Sequence, residues 1–407
     1  MNLSYFIAKR ISRENLGGFS STIHRIAIAS IAIGLAASIV AFLVMKGFQE
    51  TVQNKIYSFS GHLLISKFTM NNSPEERPFD YPIDLYRSYK TSNPAIDHIQ
   101  EYSHKSGMIK TEEEVLGVVF RGVGRSFDQK RFLENIAEGS FINFPDSGYS
   151  QEVMLSVNIA NKLNIKTGDD IIIHFFQNPP RFRKLRVSGL YETNLSEYFD
   201  SKIVIGDLAL IQRLNDWPDS VAGGLQLFVR DVSQLDKTAG LINEEMDYDF
   251  YLEKVSEKYI QVFEWLGLIS RQVNILLGVI LTVVCVNMIS VVLILVMERT
   301  QMIGILKAMG TMNRTIRSVF IFQGIRLIGI GLLIGNAIGL GICYLQYQFK
   351  LIPLNARDYY MSYVPISWNW DIVLWLNGIT FLIVTLVLIL PTMLISRIQP
   401  IQAIRFD

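Results

Sequence analysis

The sequence predicts an α-helical membrane protein with four transmembrane helices and a large α+β domain inserted between helices 1 and 2. Three observations predict it. Four uncharged apolar runs each reach the roughly 20 residues needed to cross a hydrocarbon core of about 30 Å. They are grouped as one and then three, with the interval 47–270 between. Of the 407 residues, 50% are hydrophobic and only 18% are charged, against roughly 25% charged in soluble domains. A mean hydropathy of +0.27 fits spans that carry a sizeable soluble part.

The runs take their limits from charges. Ile26–Met45 lies between Arg25 and Lys46, and Gln272–Met297 between Arg271 and Glu298. Leu327–Phe349 follows Arg326, and Ile372–Ser396 lies between Asp371 and Arg397. The expected division is a cytoplasmic segment 1–25, span 1 at 26–46, an external domain with helical stalks at 47–270, and span 2 at 271–297. A cytoplasmic loop at 298–317, span 3 at 318–349, an external loop at 350–370, span 4 at 371–396 and a cytoplasmic tail at 397–407 follow. The first run is too long for a cleaved signal and ends without a small-residue cleavage pattern, so it reads as a retained anchor. Lys9, Arg10, Arg13 and Arg25, then Arg299, Lys307, Arg314 and Arg317, then Arg397 and Arg405 place both termini and the 298–317 loop in the cytoplasm.

Helix 1 carries Ser30, Gly34 and Ser38, and helix 3 carries Gly331, Gly335 and Gly339, each at four-residue spacing. Small residues so spaced let backbones approach closely in lipid. Packing within one subunit and a dimer seam both account for them. No acidic or histidine relay lies inside the spans, which argues against a proton-coupled transporter.

In the inserted domain, Gly47–Ser60 continues helix 1 outward and Gly61–Phe68 alternates as a strand. Thr69–Pro82 reads as loop, Pro82–Ser92 as a short helix, and Ile99–Lys110 with Val115–Val123 as a hairpin around Thr111–Glu114. Gln151–Asn164 reads as strand into helix, with Thr167-Gly168-Asp169-Asp170 as a turn. Asn178-Pro179-Pro180-Arg181 separates a strand through Phe176 from one at Leu185–Tyr191. Leu225–Arg230, a helix from Val232 to Met246, a strand at Tyr248–Lys254 and one long helix from Ser256 complete small α+β units.

The same residues exclude several functions. A net charge of +1 with no basic aromatic patch argues against nucleic acid. Cys285 and Cys343 both sit in apolar runs, so neither a disulfide framework nor a zinc site is expected. The histidines (His24, His62, His98, His104, His174) are scattered, with His98 and His104 expected at the surface, and no metal site is expected. There is no GxxxxGK[ST], GxSxG or HExxH. The chain is not expected to be an enzyme or to bind a cofactor of its own, so any ATP hydrolysis must come from a partner subunit.

The chemically informative stretch is 287–320, NMISVVLILVMERTQMIGILKAMGTMNRTIRSVF. Apolar helix gives way at Glu298 and Arg299 to a short amphipathic segment. Ile303, Leu306 and Met309 recur every three residues, read as one side suited to a partner's groove with Lys307 in water. Gly310 allows the turn into helix 3. An interfacial helix lying on lipid is the competing reading.

This stretch, continued through Gly324 so that Phe320 and Gly324 make a Phe-x-x-x-Gly, resembles the permease superfamily that includes FtsX-like proteins, macrolide-exporter (type VII) permeases and lipoprotein-releasing (LolC/LolE-type) permeases. Glu298, Arg299, Ile303, Ile305, Leu306, Lys307, Met309 and Gly310 fall on its acidic-basic pair, Ile-Leu-Lys and Met-Gly positions. Asp358-Tyr359-Tyr360, Val364-Pro365, Gly61-His62, Leu163 with Thr167-Gly168-Asp169, and Pro400, Ala403 and Arg405 are similar to the Lol branch. The resemblance implies a permease of the bacterial inner membrane with its large domain in the periplasm. Such a permease extracts lipoproteins and passes them to a periplasmic carrier. Its implied partners are two copies of a separate ABC ATPase that brings ATP and Mg, and a second permease subunit, identical or related.

An FtsX-like or macrolide-exporter-like mechanotransmission role, driving a periplasmic hydrolase or efflux partner, is the alternative. Phe42, Met45, Ile275 and Val279, with Tyr359 and Tyr360, are the expected lining of a cavity for acyl chains. The loop carrying Pro179, Pro180 and Arg181 is the candidate carrier dock, although it is shorter than the family's hook.

Overall fold

The computed structural model of the chain describes residues 19–69, 73, 75–80, 93–111, 114–393 and 395. The expected Pro82–Ser92 helix, Glu112 and Glu113, and the basic residues Lys9, Arg10, Arg13, Arg397 and Arg405 lie outside them. The chain divides into two compact units. One comprises the described residues up to Glu50, Trp265–Pro353 and those from Tyr363 onward; the other comprises Thr51–Glu264 and Leu354–Ser362.

Helix α1 (Phe19–Ser60) contributes residues to both units. The inserted unit follows with β1 (Leu63–Lys67), β2 (Phe79–Asp80), β3 (Ile96–Lys110), β4 (Val115–Val123), α2 (Gln129–Phe132), β5 (Ile136–Gly139) and β6 (Glu152–Ser156). Then come α3 (Val157–Leu163), β7 (Asp170–Phe175), β8 (Arg181–Tyr191), β9 (Ile203–Asp207), α4 (Leu208–Asn215), β10 (Val221–Ala222) and β11 (Gly224–Val229). The unit's part of the chain before span 2 ends with α5 (Leu235–Glu245), β12 (Phe250–Lys254) and α6 (Val255–Lys258).

In place of small α+β units, ten of these strands make one sheet in the order β12-β1-β11-β3-β4-β9-β6-β8-β5, with β7 pairing both β3 and β8. That second pairing closes β3, β4, β9, β6, β8 and β7 into a ring. Closure removes free edges and leaves an interior to be filled by side chains. Val118, Phe120, Val153, Leu155, Ile173 and Val204 are among the residues that fill it. The β4–β9 and β6–β8 pairs are parallel and the remaining pairs antiparallel.

Closure depends on the length of β3. Its first half pairs with β11 as far as Tyr102, and its last turn pairs with β7 from Gly107. Between these partners the backbone N–H of His104 donates to Glu76 (2.9 Å) and that of Ser106 to Glu75 (3.0 Å). Two carboxylates thus satisfy donors that would otherwise be buried without a ladder. His104 Nδ1 also meets Glu76 at 2.6 Å and His98 Nε2 meets the Ser126 carbonyl at 2.7 Å, so both histidines, expected at the surface, are half-buried and hydrogen-bonded.

The other unit holds the apolar helices: α7 (Ile260–Glu298) from Trp265 onward, α8 (Thr300–Ala308), α9 (Asn313–Phe349), α11 (Trp370–Val387) and α12 (Ile389–Thr392), with α10 (Ala356–Tyr359) belonging to the inserted unit. The long helix expected from Ser256 is interrupted, because Tyr259 at φ −108° and ψ 38° separates α6 from α7. Within this unit, Gly331, Gly335 and Gly339 of α9 lie against α1. A Cβ at Gly335 would stand 2.9 Å from the Ala32 carbonyl oxygen, and one at Gly331 2.8 Å from Ile31 Cβ. The small-residue seam is therefore filled within the chain. Polar side chains inside the spans pair across helices, Asn336 with Asn377 (2.7 and 3.0 Å) and Asn287 with Ser30 (2.8 Å), as apolar surroundings require.

Candidate functional site

The segment after Glu298 is a separate short helix. Arg299, at φ −106° and ψ 21°, breaks α7, and α8 begins at Thr300. Ile303 is fully buried beside Ile23, Val292, Val296, Ile316 and Leu388. Leu306 is half-buried against the same cluster. At about 100° per residue, six residues bring Met309 roughly 120° away from Ile303, so a three-residue spacing does not hold one side. Ile303 thus faces the helices of its own chain, correcting its expected outward position. The outward residues are Met297, Ile305, Met309 and Met312, with Met309 69% exposed and Ile303 0%. Glu298 is also exposed, and Arg299 half-buried.

Lys307 is not free in water as expected. Its ammonium donates to the Ile395 carbonyl at 2.7 Å, and burial, with the nearby Arg317 charge, lowers its pKa. A cation on carbonyls near the end of span 4 is favourably placed. The helix stops as expected at Gly310, φ +84°. The Thr311 N–H donates to the Leu306 carbonyl (3.0 Å) and that of Gly310 to Lys307 (2.9 Å), the paired bonds of a Schellman cap. Ile303 and Lys307 anchor the segment inward, and Ile305 and Met309 stay exposed.

Within the unit of apolar helices, Phe42 and Met45 of the expected acyl-chain lining face one way and Ile275 and Val279 another. Phe42 is buried against Leu277, Leu281, Cys343 and Leu376, its ring 6.5 Å from Trp375, and Met45 packs on the same cluster. Ile275 and Val279 are exposed on the outward face of α7. Helical spacing explains the split: Leu277, Leu281, Val284 and Met288 take the inward positions, which turns Ile275 and Val279 away. Tyr359 and Tyr360 belong to the inserted unit. Tyr359 is exposed, while Tyr360, at φ +60°, presents its carbonyl to Lys55 Nζ at 2.9 Å. Lys55 also donates to the Thr193 carbonyl at 2.9 Å.

At the β7–β8 tip, Asn178–Pro179 is a cis peptide and Pro180 precedes β8. Arg181 is turned back onto the end of α4, donating to the carbonyls of Leu214 (3.1 Å) and Arg213 (3.3 Å) and pairing with Asp216 (3.3 Å). What the tip presents outward is Phe176 and Phe182, which the loop-centred reading passed over. The alternation along β7 and β8 was the signal available for them.

A second cluster of consequence surrounds Gly61 and His62. Helix α1 ends where Gly61, at φ +74°, donates its N–H to the Tyr57 carbonyl (2.8 Å). The buried Arg121 guanidinium donates to the Phe59 carbonyl (2.6 Å) and stacks 4.3 Å from the Phe59 ring, placing a cation at a helix C-terminus. His62 then joins three segments. Its N–H donates to Leu227 (2.8 Å), its carbonyl accepts from Val255 (3.0 Å), and its Nδ1 accepts from Val229 (3.1 Å). An accepting Nδ1 requires the neutral ring. Burial first, and then the Arg131 charge, push its pKa down to about 4. Among the described residues no group of histidine, cysteine and carboxylate side chains could hold a metal ion.

Comparison with known proteins agrees with this anatomy. The MacB-like periplasmic core domain matches residues 26–244, more than half of the chain, and the FtsX-like permease C-terminal domain matches 274–400. The lipoprotein-releasing system transmembrane protein LolC of Neisseria meningitidis is 24% identical across 100% of this chain and 98% of its own length. LolC of Haemophilus influenzae is 23% identical over 100% and 99%, and LolE of the same organism 21% identical over 99% of each. Four apolar helices among the described residues, a large sheet domain inserted after the first, and these full-length matches place the chain in the LolC/LolE-type permeases of the FtsX and macrolide-exporter superfamily of ABC transporters.

Proposed function

We propose that this permease is the transmembrane subunit of an ATP-driven exporter that withdraws lipoproteins from the bacterial inner membrane and delivers them to a periplasmic carrier. Two copies of a separate ATPase, bringing ATP and Mg, act on the segment 298–310, and a second permease, identical or related, completes the assembly. Both termini lie in the cytoplasm, a placement that the flanking Lys and Arg residues support.

One observation carries the coupling part of this reading. A short helix fixed inward by Ile303 and Lys307 leaves Met297, Ile305, Met309 and Met312 uncovered. Methionine is flexible and polarizable and suits a groove that must hold while it moves. Motion of α8 passes to α7 and α9 on either side, and through Lys307 to the end of span 4. At the other end, His62 and Arg121 hold the end of α1 and the start of α6 to the sheet. The carrier docks at the Pro179–Pro180 tip through Phe176 and Phe182, with Arg181 holding the loop in place.

The lipoprotein part rests on the full-length similarity to proteins named as lipoprotein-releasing. Its test is release from proteoliposomes containing this permease, its ATPase and a radiolabelled lipoprotein. ATP-dependent transfer to a soluble carrier supports the reading. ATP turnover without any release favours mechanotransmission to another periplasmic partner.

A further inference from the structure

The connection from α9 to α11 carries an apolar surface that neither the coupling segment nor the carrier dock uses. Phe349, Leu351 and Ile352 are 63%, 64% and 56% exposed, and Trp370 is 61% exposed. These residues occupy the outer ends of two spans, on the same side of the membrane as the inserted domain, because α7 and α9 each cross once.

The exposure is built into the backbone. The buried Gln346 donates to the Val364 carbonyl (3.0 Å) and accepts from the Ile352 N–H (3.0 Å). Val364 N–H donates to the Ile352 carbonyl (3.2 Å), and Pro353 bridges Tyr363. Both arms of the turn are therefore held, and their apolar side chains are held outward. Around them stand Tyr347 and Trp368 with rings edge to face at 6.1 Å, Trp368 and Trp370 stacked at 6.4 Å, and Lys350 Nζ 4.2 Å from the Tyr363 ring. Rings with a polar tip and lysines with an apolar stem favour the layer between hydrocarbon and water. A contiguous apolar patch of this kind is not left in bulk water. It also continues the exposed apolar flanks of the spans at Leu345 and Leu374.

We propose that this turn is a lipid-inserted wedge. Phe349, Leu351 and Ile352 enter the interfacial layer of the outer leaflet, Trp368 and Trp370 lie at its headgroup level, and Lys350 faces the lipid phosphates. The occupant is phospholipid, chosen over a second copy of the chain because the patch is continuous with the lipid-facing surface of α9 and α11.

The test uses the full chain in phospholipid nanodiscs. A Trp217→Phe, Trp265→Phe, Trp375→Phe variant leaves Trp368 and Trp370 as the only emitters. The wedge requires that phospholipids brominated near the headgroup quench most of the emission, that deeply brominated lipids quench less, and that acrylamide quenches weakly. Strong acrylamide quenching with none from brominated lipid overturns it by placing the rings in water. Quenching by neither overturns it in favour of a protein cover such as a second copy. Should the triple variant not fold, Leu351→Cys in a Cys285→Ala, Cys343→Ala background carries a spin label to the tip. Greater accessibility to oxygen than to a water-soluble nickel chelate supports insertion, and the reverse excludes it.

Discussion

Two helices of this permease end on a glycine with positive φ, and the two ends have opposite surroundings. At Gly61, φ +74°, an added Cβ would lie 3.2 Å from the Leu227 carbonyl, and the neighbouring polar groups of His62 and Arg121 have partners inside the sheet unit. At Gly310, φ +84°, nothing lies within 4 Å of such an atom, and exposed methionines stand on either side. A positive-φ glycine thus ends a helix at a closed joint in one place and at an open face in the other. The difference is that one end is finished by its own chain while the other keeps exposed apolar side chains, the face we propose for the ATPase.

The largest effect is expected at the open face. Ile305→Asp with Met309→Asp should reduce copurification of the ATPase by about 100-fold or more, since charges would replace two apolar side chains of the proposed interface. The melting temperature of the detergent-solubilised permease should barely change, because both residues are already exposed. A large fall in melting temperature would mean the face is internal after all.

Next comes acid sensitivity at the closed joint. Burial holds His62 near a pKa of about 4, below the ordinary 6.5. Below the ordinary value the unfolded chain takes up a proton that the folded chain refuses. Stability should therefore be fully present above pH 6.5 and fall as pH drops toward 4, by about 3 kcal/mol in all. Denaturation midpoints of wild type and His62→Leu across that window read this directly: the variant should lack the step, and parallel curves would count against a neutral buried His62.

The glycines separate the two ends by smaller amounts. Gly61→Ala combines a left-handed backbone with contact against Leu227 and should cost about 2 kcal/mol, whereas Gly310→Ala meets only the backbone term of about 1 kcal/mol. Equal losses in chemical denaturation would erase the contrast.

Much of this anatomy could be read from the residues. The spans were legible because twenty apolar positions in a row have few other physical uses, and Gly310 because a turn that ends a helix favours glycine. The ring of strands was not, because β3 meets β7 only through pairing between segments far apart in sequence, and no local pattern in Gly107–Ile109 names that partner. Ile303 and Met309 were both apolar, and only helical phase divides an inward anchor from an outward contact. His62 was visible as a motif without a role, since the groups that define it, Leu227, Val229 and Val255, come from one distant strand and the start of one distant helix. Phe42 and Ile275 were assigned to one cavity although their own helices turn them different ways.

The central claim is that the outward side of α8, and not its inward side, receives a separate ATPase. A photoreactive amino acid placed singly at Met309 or at Ile303, in cells producing the permease with its ATPase, tests it most directly. The account predicts an ATPase adduct from position 309 and none from 303. Absence of an adduct at 309, or equal adducts from both positions, would contradict it.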